Sequence, residues 1–196
     1  MITLFIVLIL SLIVYLKSKS IKKYNTYLYI IFILLSSVSL FFPKFVIFMP
    51  WIKGFLGLAI FYLVMMAGAL PDWKFKKKLY SVRTELSILG FIVITPHAIF
   101  NLLRIFKGEI DLTIFGIIAY LIMIPLFITS FITIRIKMNR LHWKNLQRLA
   151  YIVYILLFIH LIIHYTLAIN RILYIILLIF YLAFKTVKTL KYIKAK

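Results

Sequence analysis

Seven apolar runs, each separated from the next by a short basic segment, dominate this sequence. A transmembrane helix needs about 20 predominantly apolar residues. The runs lie at about 2–16, 26–42, 52–70, 85–106, 112–134, 148–169 and 171–185. The chain is 65% hydrophobic with a mean hydropathy of +1.11, whereas soluble domains hold about 45–50% apolar residues. The sequence therefore predicts an all-α, polytopic transmembrane helix bundle in contact with membrane lipid, a multi-pass protein of the cell (inner or plasma) membrane.

The number of basic residues alternates along the connections between these runs. From the first connection to the C-terminal tail, Lys and Arg number 4, 2, 5, 2, 5, 1 and 5. Cytoplasmic loops carry the excess of Lys and Arg in membrane proteins. The alternation predicts an N-terminus outside, a C-terminus inside and six to seven spans, because the short run 171–185 could be a span or an interfacial hairpin arm. The first run has no basic segment before it and no small-residue cleavage site, so we expect an uncleaved span.

Charge and composition exclude several classes of function. The formal charge of +20 is spread over short clusters between apolar runs, as expected beside anionic headgroups, so nucleic acid is not an expected partner. The chain has no cysteine, which excludes disulfides, thiolate catalysis and Cys-ligated metals. No GxGxxG or P-loop occurs, and no loop is long enough for a nucleotide-binding unit.

Three of the four histidines lie within apolar runs, where ionisable residues are rare and often functional. His97 lies twelve residues into its run, counted from Glu85, and His160 lies fourteen residues after Leu146. At a rise of 1.5 Å per residue, the depths of the two histidines differ by only about 3 Å. Two imidazoles at one depth on neighbouring helices can bind the two faces of one haem. His142, in a basic loop, is interpreted as an interfacial residue.

The alternative for each histidine is a hydrogen bond to a backbone carbonyl or hydroxyl within the bundle. Transporters and proton relays usually place Asp or Glu at membrane depth, but the four acids here lie in loops or at span ends. His164, one turn after His160, is interpreted as support; it could also be an alternative ligand, a propionate partner or an interface residue. Pro96 could bend its helix and open space beside His97, or be only a kink.

Two segments resemble the ferric-reductase-like transmembrane family, and within it the MsrQ branch, the haem-binding subunits of the periplasmic methionine sulfoxide reductase system. They are RTELSILGFIVITPH (83–97) and GIIAYLIMIPLFITSFITIRIKMNRLHWKNLQRLAYIVYILLFIH (116–160). That branch has an Arg fourteen residues before a His, as Arg83 and His97 stand here. It also has a Thr-Ser pair ending a span, followed by Trp-x-x-Leu-His-x-x-x-Tyr and a later His. The matching residues are Thr129, Ser130, Trp143, Leu146, Tyr151 and His160.

The resemblance implies one b-type haem in the outer half of the bundle, with His97 and His160 as iron ligands. In the wider family a second, inner pair of histidines can hold another haem. The chain departs from that pattern, because Arg83 and Gln147 occupy the inner pair of positions. The resemblance therefore implies no second, inner haem. Arg83 and Gln147 are candidate cofactor-binding residues, and FMN or a quinone is a candidate second cofactor.

The sequence is accordingly divided into spans one to three (1–69), a haem-binding core (70–185) and a basic cytoplasmic tail (186–196). The resemblance implies an electron-transfer subunit of an oxidoreductase, which takes electrons from quinol or a cytoplasmic flavin reductase. It would pass them to a redox partner on the outer face, such as a reductase subunit, or to ferric iron. Two alternatives stay open: a haem-free transporter or membrane assembly factor, and a haem sensor or chaperone.

Overall fold

The computed structural model describes residues 2–164 and 168–194. All regular structure in these residues is helical. A single 3₁₀ turn, Val46–Phe48, precedes the third helix. The helices are α1 Ile2–Lys23, α2 Asn25–Phe41, α3 Met49–Ile52, α4 Phe55–Ala69, α5 Lys74–Ser81, α6 Arg83–Phe106, α7 Ile114–Ile128, α8 Ile132–Arg135, α9 Arg140–Gln147, α10 Ala150–His164 and α11 Ala168–Lys194.

The all-α class predicted from the sequence is confirmed, with four helical segments long and apolar enough to cross a membrane. They are Ile2–Lys23, Arg83–Phe106, Arg140–His164 and Arg171–Leu190. A fifth candidate is the pair Val46–Ile52 and Phe55–Ala69, which is bent by 49° at the break between its two parts. The described chain is therefore a helical bundle with four to five candidate spans, as expected of a membrane protein.

The expected run 112–134 forms a shorter helix than the sequence suggested, since α7 has 15 residues. Helix α2 has 17 residues, the length of the expected run 26–42. At 1.5 Å per residue these helices are about 22–26 Å long, somewhat less than the ~30 Å hydrocarbon core. Helix α7 stops because the chain turns at Thr129 and Ser130, whose hydroxyls donate to backbone carbonyls of α7 at 2.7 Å.

The bend before α4 arises at Gly54, which has a φ of +74°. A side chain is strained in this left-handed conformation, so glycine is the residue that lets α3 end and α4 begin at a new angle. At the other potential break, Pro96 lies inside α6 without ending it, and the helix continues to Phe106.

Helix α4 is the centre of the bundle. It packs against α1, α5, α6 and α11, and every residue from Ala59 to Ala67 is buried. A β-carbon on Gly57 would lie 2.9 Å from the Ile94 Cβ atom, and one on Gly90 would lie 3.2 Å from the Ile60 Cγ2 atom. These two glycines allow α4 and α6 to approach closely, as small residues do between helices in membranes.

The basic segment after α4 meets the later part of α1 and the C-terminal part of α11 at one end of the bundle, called here the basic end. Lys78 of α5 donates to the Tyr15 carbonyl of α1 at 2.6 Å. Lys188 of α11 donates to the Gly68 carbonyl near the end of α4 at 2.8 Å. Lys185 donates to the Tyr151 hydroxyl at the start of α10 at 3.0 Å. Helices α6 and α10 thus both begin at the basic end and run to the opposite end.

Candidate functional site

A cavity of about 850 Å³ lies toward the end of the bundle opposite the basic end. Its wall is formed by the α3–α4 turn, α6, α7, α10 and the loop between α6 and α7. His97 enters from α6, and His160 and His164 enter from α10. The space, called here the histidine cavity, falls within the roughly 300–1,000 Å³ typical of small-molecule and cofactor sites. The three histidines singled out in the sequence therefore line one space.

His97 is held by the backbone at the end of α3. Its Nδ1 atom lies 2.8 Å from the carbonyl oxygen of Ile52, and a carbonyl can only accept, so Nδ1 carries the proton. A β-carbon on Gly54 would lie 3.0 Å from the Cγ atom of His97, so the ring packs directly on the turn between α3 and α4. A donating Nδ1 leaves Nε2 as the basic nitrogen, the arrangement found in metal-bound histidines with a backbone partner.

Asn101, one helical turn after His97, is a second partner of this histidine. Its Nδ2 atom donates to the His97 carbonyl oxygen at 3.0 Å, and it lies 3.0 Å from the Nδ1 atom and 3.3 Å from the Nε2 atom of the ring. An atom that is nearly equidistant from both ring nitrogens lies against the face of the ring and not along the lone pair of Nε2. The Asn101 amide therefore packs on the imidazole.

His160 has a different environment. Its Nδ1 atom is buried and has no hydrogen-bond partner among the described residues. A β-carbon on Gly116 of α7 would lie 3.1 Å from both Nδ1 and Cε1 of this ring. The ring of His164 is 4.7 Å from that of His160, with an angle of 49° between the ring planes. His160 thus has an unsatisfied nitrogen at the wall of the cavity, and the exposed His164 stands beside it.

Charged and polar side chains line part of the histidine cavity besides the histidines. Arg104 at the end of α6 pairs with Glu109 at 3.2 Å, and Lys53 and Asp111 also line the wall. Deeper in the cavity, the Tyr120 hydroxyl donates to the Thr95 hydroxyl at 3.0 Å. The cavity is polar toward its end and apolar between the helices, a distribution suited to a mostly apolar ligand with polar groups at one end.

The donor set fits a haem better than a bare metal ion. No group of three or more His, Cys, Asp or Glu side chains that could hold a metal occurs in residues 2–164 and 168–194. A structural or catalytic ion usually takes three or four protein ligands. A porphyrin supplies four nitrogens itself and needs only axial ligands such as imidazole. Imidazoles from two helices line the cavity, and imidazole is the kind of ligand that a porphyrin would need.

A second cavity, of about 280 Å³, lies nearer the basic end. Arg83 of α6, Gln147 of α9 and Arg135 of α8 line it, and we call it the arginine cavity. Gln147 is already bonded, since its Nε2 atom lies 3.1 Å from the Thr129 hydroxyl. Phe61 lines both cavities, as does Met123. The structure thus brings Arg83 and Gln147 together at one site and separates that site from the histidines.

The sequence did not indicate several residues of the site. Ile52, Gly54 and Gly116 contact the histidines from distant parts of the chain, and a single sequence carries no signal for such contacts. The sequence does contain a signal for Asn101, because a polar residue four positions after His97 lies on the same face of the helix.

Among known proteins, the chain is similar to an uncharacterized protein of Treponema pallidum (strain Nichols). The two are 32% identical over an alignment 123 residues long, and the alignment covers 57% of this chain and 34% of that protein. The chain therefore spans about a third of the length of this relative, 34%. No protein-family model matches the chain, and no solved structure matches it.

Proposed function

We propose that this chain is a membrane b-type cytochrome that carries single electrons across the bilayer. One haem b would occupy the histidine cavity, and His97 and His160 would hold it. The observation that carries this proposal is that two imidazoles, from α6 and α10, line one cavity of about 850 Å³. The resemblance of residues 83–97 and 116–160 to ferric-reductase-like proteins points to the same two ligands.

The protein's own groups would set the properties of such a site. The Nδ1 atom of His97 donates to the Ile52 carbonyl oxygen at 2.8 Å. This bond fixes the proton on Nδ1 and would so orient Nε2 into the site. The Nδ1 atom of His160 lacks a partner, so this histidine would be the less constrained ligand. Bound haem supplies a one-electron Fe(III)/Fe(II) couple.

The direction of transfer follows from the proposed topology of seven spans, with the N-terminus outside and the C-terminus inside. The gathering of Lys78, Lys185 and Lys188 at the basic end supports that end as the cytoplasmic one. The donor would be quinol or a cytoplasmic flavin reductase. FMN or a quinone bound near Arg83 and Gln147 would be one way to receive electrons from it. The acceptor would be a reductase subunit or ferric iron on the outer face.

The deciding experiment is an optical spectrum of the detergent-purified protein, first air-oxidised and then reduced with dithionite. A pyridine haemochrome assay on the same sample counts haem per chain. We expect a b-type, six-coordinate low-spin spectrum and one haem per chain. A colourless protein after expression with added haem would refute the proposal, and two haems per chain would refute the assignment of Arg83 and Gln147 as non-ligands.

One observation favours a second candidate function, a haem-free transporter or membrane assembly factor. His97 has partners within the protein without any cofactor, because Ile52 accepts from Nδ1 and the Asn101 amide packs on the ring. This candidate predicts no visible absorbance and no change in colour in histidine variants. The same samples distinguish a haem sensor or chaperone. Its haem would dissociate readily and would not be reduced and reoxidised repeatedly when a donor is supplied.

A further inference from the structure

The arginine cavity combines cationic and hydroxyl groups without any carboxylate. It lies where α6 begins, beside α8, α9 and the start of α10. None of the residues that line it is Asp or Glu. Its polar lining residues are Tyr80, Arg83, Thr84, Ser87, Ser130, Arg135, Trp143, Gln147 and Tyr154.

Most of the uncharged polar groups in this lining already have partners within the protein. Ser87 donates to the Thr84 carbonyl at 2.8 Å, and Ser130 donates to the Leu126 carbonyl at 2.7 Å. The Nε1 atom of Trp143 donates to a backbone carbonyl at 3.0 Å. These bonds stabilise the wall of the cavity. The groups available to bind a ligand are therefore chiefly the guanidinium groups of Arg83 and Arg135.

The two arginines bring a positive charge that is not neutralised by protein carboxylates. Both side chains are half-buried, and neither forms an ion pair with a described residue. Arg135 lies over the Trp143 ring, 5.4 Å from its centroid, and Arg83 lies beside the Tyr154 hydroxyl. Partly desolvated cations are costly unless an anion compensates them. The arrangement therefore calls for an anionic ligand.

We propose that the arginine cavity binds a phosphate group. A guanidinium binds phosphate through two parallel hydrogen bonds, which makes arginine the usual residue for this purpose. The cavity is at the basic end, the level expected for lipid headgroups, and its deeper wall is apolar, with Phe61, Val64 and Met123. The phosphate would come from an anionic phospholipid or from free phosphate in solution. This site is independent of haem in the histidine cavity, and a phosphate bound here is the alternative to the FMN or quinone considered for Arg83 and Gln147.

Native mass spectrometry of the detergent-purified chain, titrated with phosphatidylglycerol, tests the proposal. Diacylglycerol, which has the same acyl chains but no phosphate, serves as the matched lipid. We expect one phosphatidylglycerol retained per chain and no retained diacylglycerol. Inorganic phosphate is added as a competitor, and displacement of the lipid at low phosphate concentration would identify the soluble anion as the ligand. Equal retention of the two lipids, or binding of neither phosphate source, would refute the proposal.

Three variants locate the binding. Arg83→Gln and Arg135→Gln should each weaken phosphatidylglycerol binding about tenfold or more, as expected for loss of a charge-assisted pair. Arg148→Gln removes an equal charge from an exposed arginine that does not line the cavity, and it should bind as the unmodified chain does. An equal loss in Arg148→Gln would show that net charge, not this cavity, holds the lipid. If Arg83→Gln does not fold, Arg135→Gln alone gives the same test.

Discussion

Each of the two candidate ligands, His97 and His160, packs against a glycine of another element. A β-carbon would lie 3.0 Å from the ring of His97 at Gly54, and 3.1 Å from the ring of His160 at Gly116. Such distances are tighter than ordinary carbon contacts, which lie at about 3.5–4.0 Å. The glycines therefore determine how far each imidazole can withdraw from the cavity.

The first prediction concerns the two proposed ligands. His97→Ala and His160→Ala should each lower haem binding at least as much as the about 10–100-fold loss caused by changes in outer-shell partners. The physical reason is that an axial nitrogen is lost and a cavity is left in its place. Haem per chain is measured by pyridine haemochrome, with His142→Ala, an exposed histidine of α9, as the control. A six-coordinate low-spin spectrum in both ligand variants would exclude these two residues.

The second prediction concerns His164, whose ring contacts that of His160 at 4.7 Å. His164→Ala should leave haem bound, because the residue is a neighbour of the ligand and not the ligand. It should shift the haem midpoint potential, since a polar group beside the site is removed. A redox titration followed by absorbance measures both properties. Haem loss in His164→Ala together with retention in His160→Ala would exchange the roles of the two residues.

The third prediction concerns the glycine behind His160. Gly116→Ala should displace the imidazole by a few tenths of an ångström and lower the haem content or shift the haem spectrum. Gly68→Ala is the matched control, since both residues are helical glycines and nothing lies within 4 Å of a β-carbon at Gly68. Both changes gain about 0.5–1 kcal/mol of helix propensity, so only contact with the histidine distinguishes them. Identical spectra for both variants would show that Gly116 does not position the ring.

The sequence indicated the histidines of the candidate site but not the residues that pack around them. Helical rise alone placed His97 and His160 at similar depths, and both line one cavity. The partners Ile52 and Gly116 could not be predicted, because they approach from other elements and depend on how the helices pack. The unpaired Nδ1 atom of His160 was likewise invisible, since sequence spacing says nothing about an absent partner.

At the scale of elements, the crossing of α4 and α6 determines where the two cavities lie. Gly57 of α4 faces Ile94 of α6, and Gly90 of α6 faces Ile60 and Phe61 of α4. The helices thus approach through a small residue on each side. Phe61, next to this crossing, lines both cavities. Wider separation of α4 and α6 would therefore change both sites at once.

The fourth prediction orders three glycine variants by stability. Gly57→Ala places a β-carbon 2.8 Å from the Ile94 side chain and 3.2 Å from its Cα atom, so the backbone itself must move. We expect a cost of about 1–3 kcal/mol, as for other overpacked cores. A β-carbon at Gly90 would contact only side chains, at 3.2 Å, so Gly90→Ala should lower the stability less. Gly68→Ala should not lower the stability, since nothing lies within 4 Å of a β-carbon there. Thermal unfolding in detergent, followed by circular dichroism, gives the order, and Gly57→Ala as stable as Gly68→Ala would contradict it.

Hydropathy predicted the helical runs but not their interruptions. The run 52–70 is apolar apart from Lys53, yet α4 begins only after the left-handed Gly54. The run 112–134 ends early, because Thr129 and Ser130 close the C-terminus of α7 through their hydroxyls. In both cases a local backbone conformation, which does not alter mean hydropathy, decides where the helix stops.

At the scale of the whole molecule, lysines from two of the segments with many basic residues lie at the same end of the bundle, the basic end. Lys78 reaches α1, and Lys185 and Lys188 of α11 reach α10 and α4. The opposite end, near Arg104 and Glu109, instead carries the polar part of the histidine cavity. Charge counts could predict that these segments share one side. They could not predict that α2 and α7 would be shorter than a bilayer core is thick.

The last prediction tests the orientation and these two short helices together. The chain has no cysteine, so single cysteines at the exposed positions Lys19, Lys44, Lys107 and His142 report their side through a membrane-impermeant maleimide. With seven spans and the N-terminus outside, Lys44→Cys and Lys107→Cys should react in intact cells, whereas Lys19→Cys and His142→Cys should react only after permeabilisation. A short helix can still cross where the bilayer thins or flanking residues snorkel, at a cost of fractions of a kcal/mol per Å.

Each deviation from that pattern identifies one cause. Reaction of Lys19→Cys and Lys44→Cys on the same side would show that α2, with 17 residues, does not cross. Reaction of Lys107→Cys and His142→Cys on the same side would show the same for α7, with 15 residues. A complete exchange of the two pairs would invert the molecule and place the histidine cavity toward the cytoplasm. Electrons taken from a cytoplasmic donor would then enter beside His97 and His160, and the proposed outward transfer would fail even if haem is bound.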